Sequence, residues 1–314
     1  MQIDAWKISL FLLCIVQFHC RDQVEKSFEI IQTPSNDDLT GIYHWDDQNI
    51  MVVGGNTWTR ALLMKSTDGG ESWIKDSLYD KKIFSFSSRV YADKIWSTGI
   101  DMITMHTITQ YKNYFSPTYK FYRSIDGQSE HTAIAVGGEA FGSGFIDRVD
   151  SMGQLRNILN LNHELDAIQN IGDSVWLTAG FGIVLRSMDD GMNWDTLDVD
   201  GDHFRDIDSK GNISFIVGNF GTILRSNDNG KSFAKIRNAS SPFVSDKAFR
   251  CVKIRDENEI LVAGENGLAW ISDNGGDSWK EIDNLPDIDF YDITFYRGKY
   301  FLGGSGGKIL KILD

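Results

Sequence analysis

The chain has 314 residues, 41% hydrophobic and 12% aromatic, with 44 acidic against 31 basic side chains and a formal net charge of −13. That apolar content is enough to fill a core and excludes a chain disordered over its bulk. The acidic balance, with no run of Lys or Arg, excludes the counterion-releasing basic face that nucleic-acid binding needs.

Residues 1–20, MQIDAWKISLFLLCIVQFHC, read as a secretory signal peptide: Lys7 precedes an apolar run from Ile8 to Phe18, shorter than the ~20 residues that span a bilayer. Export to the periplasm, the cell envelope or the medium is expected, with residues 21–314 forming one domain. Cys20 ends the leader where a bacterial lipoprotein carries its lipid-modified cysteine, so the only expected membrane link is a lipid anchor at the outer membrane. Gln17, Phe18 and His19 lack the small residues usual before such a cysteine, and the alternative is an exported chain without an anchor. Cys14 lies inside the leader and Cys251 then has no evident partner, so disulfides are not expected to hold the fold.

From residue 26 onward the chain reads as short β-branched and aromatic runs between Gly and Asp/Asn turns, without helical periodicity. The first run, KSFEIIQTP (26–34), resembles KSFAKIRN (231–238) and DSWKEIDNLP (277–286) but has no hairpin of its own. STDGGESW (66–73) follows, then KIWSTGID and the stretch MITMHTITQYKNYFSPTY (102–119), which reads as an insertion between a second and a third strand. Weaker units end in KFYRSIDGQ (120–128) and run through AVGGEAFGSGFIDRVDSMGQ (135–154). Three clear copies come next: AGFGIVLRSMDDGMNW (179–194), VGNFGTILRSNDNGKSF (217–233) and AGENGLAWISDNGGDSW (263–279). The last unit, GGSGGKILKILD (303–314), stops at Ile312, where its serine would stand.

The clearest unit predicts four strands, Arg205 to Ile207, Ile213 to Val217, Thr222 to Ser226 and Ser232 to Ile236. Four antiparallel strands repeating every ~40 to 45 residues define a propeller blade. The expected fold is therefore all-β, a seven-bladed β-propeller of four-stranded antiparallel blades, similar in plan to WD40 and YVTN repeat propellers. Its last blade lacks a fourth strand, which 26–34 would supply beside Lys308 to Leu313, closing the ring. A monomer is expected.

Four copies share a box of serine, acid or amide, glycine and aromatic: Ser66, Asp68, Gly70 and Trp73; Ser187, Asp189, Gly191 and Trp194; Ser226, Asp228, Gly230 and Phe233; Ser272, Asn274, Gly276 and Trp279. This is hairpin-turn chemistry: the side-chain oxygen accepts amides across the turn, glycine takes positive φ and the aromatic covers the loop. Asn274 serves without a charge, which speaks against a calcium site, and no copy converges several carboxylates with a closing glutamate. The six histidines form no His-x-His or His-x-x-x-His pair. No metal and no cofactor is expected, and the boxes are read as structural.

The box is the Asp-box, or bacterial neuraminidase (BNR) repeat. Together with the preceding Gly-x-x-Gly and Ile-x-Arg-Ser, as in GNFGTILRSNDNG, it resembles the photosystem II stability/assembly factor-like family of seven-bladed propellers. The likeness covers nearly all of the chain after the leader and is strongest from Ala167 to Asp314. It implies a non-catalytic exported module that binds protein partners or assists their assembly at the bacterial envelope.

Asp-boxes also occur in sialidases and xyloglucanase-type glycoside hydrolases, so the alternative is a carbohydrate-active protein, glycan-cleaving or glycan-binding, on the same fold. Of the prolines Pro34, Pro117, Pro242 and Pro286, none follows the Arg-Ile expected of a sialidase. A carboxylate pair across a cleft would be needed otherwise, and Asp101, Asp166 and Asp292 are the nominal acids.

Candidate partner-binding residues fall into three sets. Lys65, Arg123, Arg186, Arg225 and Lys311 each precede the box serine or its equivalent, and the resemblance implies a basic patch there; pairing with acids of the next blade is the alternative. Arg205 in HFRDI and Arg250 in AFRCV stand at the entries of innermost strands, around the opening where loops carry function. Phe204, Phe249 and Phe290 beside them are expected to pack between blades. Tyr111, Tyr114, Phe115 and Tyr119 make the 102–119 stretch aromatic, a composition favoured at protein interfaces.

Overall fold

The computed structural model describes residues 22–55, 61–76, 82–87, 93–201, 203–237 and 247–313; the expected leader and Cys20 lie outside them. Seven antiparallel sheets form the blades. Blade 1 is Leu39–His44, Ile50–Gly54, Leu62–Ser66 and Ile74–Asp76; blade 2 is Ile83–Phe86, Ile95–Gly99, Met102–His106 and Tyr111–Phe115. Blade 3 is Tyr122–Gly127, Ala133–Glu139, Ser143–Val149 and Leu155–Leu161; blade 4 is Leu165–Gly172, Val175–Gly180, Ile183–Ser187 and Asp195–Thr196. Blade 5 is Phe204–Lys210, Ile213–Gly218, Thr222–Ser226 and Ala234–Arg237; blade 6 is Phe249–Ile254, Ile260–Gly264, Ala269–Ser272 and Lys280–Ile282. Blade 7 is Phe290–Tyr296, Lys299–Gly304 and Lys308–Ile312, completed by Phe28–Gln32.

The second strands read as continuous apolar runs, such as IMVVG and ILVAG, because each is buried on both faces by neighbouring blades. Seven apolar clusters fill the seven seams. Leu177 and Ile216 meet between blades 4 and 5, Phe215 and Val262 between blades 5 and 6, Val52 and Phe301 between blades 7 and 1. Phe204, Phe249 and Phe290 are fully buried in such seams, as expected.

The ring closes as the orphan strand predicts. Phe28 lies opposite Ile312 and Gln32 opposite Lys308, and the flanking Thr33 and Leu313 amides donate to Gly307 and Ser27 carbonyls at 3.0 and 2.9 Å. The chain also does something its sequence does not announce: Gln23–Val24 runs parallel to Glu281–Ile282 as a fifth strand on blade 6. The N-terminal segment therefore ties blade 6 to blade 7.

Blades 2 and 3 correct the expected register. Residues 102–119 are not an insertion: Met102–His106 and Tyr111–Phe115 are the third and fourth strands of blade 2. KFYRS is not a third strand either, since Tyr122–Gly127 is the innermost strand of blade 3. Blade 2 carries no box serine to mark its third strand, so its aromatic third and fourth strands resemble an inserted loop.

Candidate functional site

The mouth of the central channel is built by one device used seven times. Each innermost strand breaks register with its neighbour between its first and third residues: Leu39/Gly41, Ile83/Ser85, Tyr122/Ser124, Leu165/Ala167, Phe204/Asp206, Phe249/Cys251 and Phe290/Asp292. A bulge re-aims a side chain. Here the first residue turns into the seam, and the residue after it lines the opening. Glycine at the end of the second strand makes room for the kink: a Cβ on Gly180 would lie 1.9 Å from the Glu164 carbonyl oxygen.

The bulged residues are Thr40, Phe84, Arg123, Asp166, Arg205, Arg250 and Tyr291, and all seven line the mouth together with Lys82, around a cavity of about 230 Å³. Arg205 and Arg250 are where sequence reasoning places them. Arg123 joins them, which corrects its assignment to the set before the box serines: it begins an innermost strand and faces the same opening. Lys82 and the seven-position pattern were missed. The signal was present in the recurring apolar–variable–small or polar–apolar tetrads, such as Tyr122-Arg123-Ser124-Ile125 and Phe204-Arg205-Asp206-Ile207.

Arg123 and Arg250 are each held by a glutamate of a neighbouring turn, and Arg205 by an asparagine side chain with an aspartate nearby. Arg123 Nη2 lies 2.8 Å from Glu164 Oε1, and Arg250 Nη2 2.7 Å from Glu265 Oε1. Arg205 donates from Nε to Asn219 Oδ1 at 3.0 Å and lies 3.8 Å from Asp166, which also binds His203. The Arg250 guanidinium stacks 5.1 Å from the Tyr291 ring, and Tyr291 donates to Asp38 at 3.3 Å. Burial depresses the pKa of Lys82; the Asp38 and Asp37 carboxylates oppose the shift, and the positive charges of Arg123 and Arg250 add to it.

Below the mouth, carboxylates stitch adjacent blades. Asp206 accepts from the amides of Val252 and Ile207, and Asp292 from those of Ile42 and Ile293. Asp208 accepts from Ile254 N and Gln169 Nε2, with Lys253 Nζ at 3.4 Å. Burial pushes Asp206 up to about 8 and Asp292 up to about 6. Among the three nominal acids, Asp292 is thus committed to two backbone amides and Asp166 to His203, while Asp101 accepts from Lys120 N in a turn of blade 2. Among the described residues, no group of three His, Cys, Asp or Glu side chains is placed to hold a metal.

The boxes lie at the other end of the barrel, in the turns between third and fourth strands. In blade 1 Ser66 Oγ donates to Asp68 Oδ1 and accepts from Gly70 N, both at 2.8 Å, while Asp68 accepts from Ser72 N and Oγ and Trp73 Nε1 donates to Gly70 O. The Ser187–Asp189–Gly191–Trp194 set repeats these bonds. In the Phe233 copy Ser226, Asp228 and Gly230 keep the serine and aspartate bonds. Asn274 keeps the acceptor role in the Ser272–Gly276–Trp279 copy. Hydrogen bonds from Ser72 hold Asp68 down at about 2, and those from Asn193 hold Asp189 there. Each box tip also reaches the preceding blade, as where Trp279 meets Phe215 edge-on at 5.8 Å.

Arg186 and Arg225 are absorbed by these tips: Arg186 Nε donates to Asn229 O at 3.3 Å and Arg225 Nη1 to Asp277 at 2.5 Å, both on the next blade. Lys311 instead pairs with Glu29 of its own blade at 2.8 Å. The aromatic stretch divides. Tyr114 is buried against Trp96 and Tyr111 is half-buried at the box end of its strand, whereas Phe115 and Tyr119 are exposed at the mouth end.

No family model matches the chain, and no curated protein matches it. Solved structures do. A structure described as YCF48 bound to D1 peptide is 19% identical, with 94% of this chain and 97% of that one covered at a TM-score of 0.71. YCF48 from Cyanidioschyzon merolae gives 15% identity, 91% and 98% coverage and 0.70; the WD40 propeller domain of Doa1 gives 15%, 92% and 97%, and 0.69. At these identities the likeness is one of fold.

Proposed function

We propose that the chain is a non-catalytic exported propeller that binds protein partners, as an assembly or stability module at a bacterial cell envelope, and that the partner docks at the mouth. The observation that carries this reading is the convergence of Lys82, Arg123, Arg205 and Arg250 on one opening of a protein with net charge −13. Glu164, Asp166 and Glu265 hold the three arginine head groups in place around the opening. Three arginines fixed there by a repeated backbone bulge, with Lys82 beside them, form a polar recognition surface. The similarity to a propeller described as bound to a peptide supports the choice of a polypeptide partner. Export rests on the apolar run from Ile8 to Phe18, and anchoring on Cys20.

The test is crosslinking in the native cell followed by mass spectrometry, comparing the wild type with the double variant Lys82→Gln/Arg123→Gln at matched melting temperature. A partner recovered with the wild type and lost with the variant supports the reading. A partner profile that the variant leaves unchanged refutes it. Mass spectrometry of the mature N-terminus tests the anchor: an unmodified Cys20 removes it.

A further inference from the structure

Three adjacent blades place phenylalanine in a turn where blades 6 and 7 take asparagine and glycine and blade 2 takes Asp101. Between second and third strands stand Phe141-Gly142, Phe181-Gly182 and Phe220-Gly221 in blades 3, 4 and 5, against Asn266-Gly267 and Gly306-Gly307 in blades 6 and 7. Phe141 and Phe220 adopt φ of 63° and 54°, the left-handed region that Asn266 and Gly306 share at 52° and 68°. A bulky side chain is rare and strained there. Burial does not compensate, because Phe141, Phe181 and Phe220 are 54%, 36% and 43% exposed. The fold would be better served by asparagine at Phe141 and Phe220; in the Phe181 turn the left-handed residue is Gly182, at φ 66°.

These rings are organised with respect to the mouth. Phe141 and Phe181 meet at 5.2 Å, and both stand edge-on to His203, at 5.7 and 5.4 Å. His203 binds Asp166, one of the seven mouth residues. The Phe141 amide donates at 2.9 Å to Glu164, the acid that holds Arg123. The apolar shelf and two of the mouth cations, Arg123 and Arg205, are thus fixed to the same two carboxylates. Within the mouth, Lys82 is the cation with no carboxylate at ion-pair distance among the described residues.

We infer that this face takes an extended peptide segment in which apolar, preferentially aromatic, side chains are followed by acidic ones. Alternate side chains of an extended chain share a face, so two apolar residues lie on the Phe141–Phe181 shelf while carboxylates reach Lys82 and the arginines. The inference rests on the proposed function and adds the chemistry of the partner. Aromatic contacts supply anchoring and the charges supply orientation.

The probe is a fluorescein-labelled, C-terminally amidated peptide with two phenylalanines at alternate positions followed by two aspartates, compared by anisotropy with one carrying serines for the phenylalanines. The wild type is expected to prefer the phenylalanine peptide by about tenfold. Phe141→Asn and Phe181→Ser abolish that preference and leave the serine peptide's affinity unchanged, whereas Lys82→Gln weakens both peptides. Phe141→Asn should also hold or raise the melting temperature, since asparagine suits the left-handed turn, so lost binding cannot be ascribed to misfolding. Equal affinity for the two peptides, or phenylalanine variants that keep the preference, overturns the inference while the docking of a partner at the mouth stands. If neither peptide binds and the crosslinking profile ignores the mouth variant, the inference and the proposed function fall together.

Discussion

Replacing Gly191 by alanine separates two costs that the box turns combine. Gly191 has φ +77°, and a Cβ there would lie 2.3 Å from Ile134 Cδ1 on the preceding blade and 3.4 Å from the Trp194 ring. The left-handed backbone costs a residue with a Cβ about 1–2 kcal/mol. Displacing Ile134 from its seam adds an overpacking cost of about 1–3 kcal/mol, for about 2–5 kcal/mol in all. Gly211→Ala isolates the first cost, because Gly211 has φ +61° and nothing within 4 Å of the added carbon. Urea denaturation of both variants gives the difference directly, and Gly191→Ala is expected to be the less stable by about 1–3 kcal/mol. Equal destabilisation would mean that the box tip does not clasp the neighbouring blade and that the turn alone explains its sequence.

Two more outcomes follow from the same geometry. Deleting residues 26–34 removes the strand paired with Lys308–Ile312, exposes that edge and should cost several kcal/mol with a gain in aggregation; an unchanged melting temperature and a monodisperse sample would contradict closure. Asp206 is raised to about 8 and Asp292 to about 6, above the ~3.9 of an unfolded aspartate. Their stabilising contribution is complete below about pH 4 and is lost as pH rises through about 6 and then about 8. Asp206→Asn should therefore flatten the fall in stability across the upper part of that window, measured by urea melts at several pH values; a slope identical to wild type would show that Asp206 does not titrate there.

Much of the fold was legible because repetition makes each blade a reading of the others. Ser187, Ser226 and Ser272 fix the third strands of three blades, and the orphan KSFEII announces the closure. Legibility failed in blade 2, which has no serine to set its register, and the error carried Arg123 to the wrong end of its strand. The boxes were legible as turns, but their grip on the preceding blade was not, since Gly191 and Ile134 are distant in sequence.

The sequence by itself determined the blade, its turns and the number of blades, because these depend on local patterns of strand, glycine and hydrogen-bonding side chain. Only the tertiary structure decided what faces the channel. A bulge depends on pairing between strands, and its consequence appears only when seven blades close into a ring: Arg123, Arg205 and Arg250, spread over 128 positions of chain, then look into one opening that Lys82 completes.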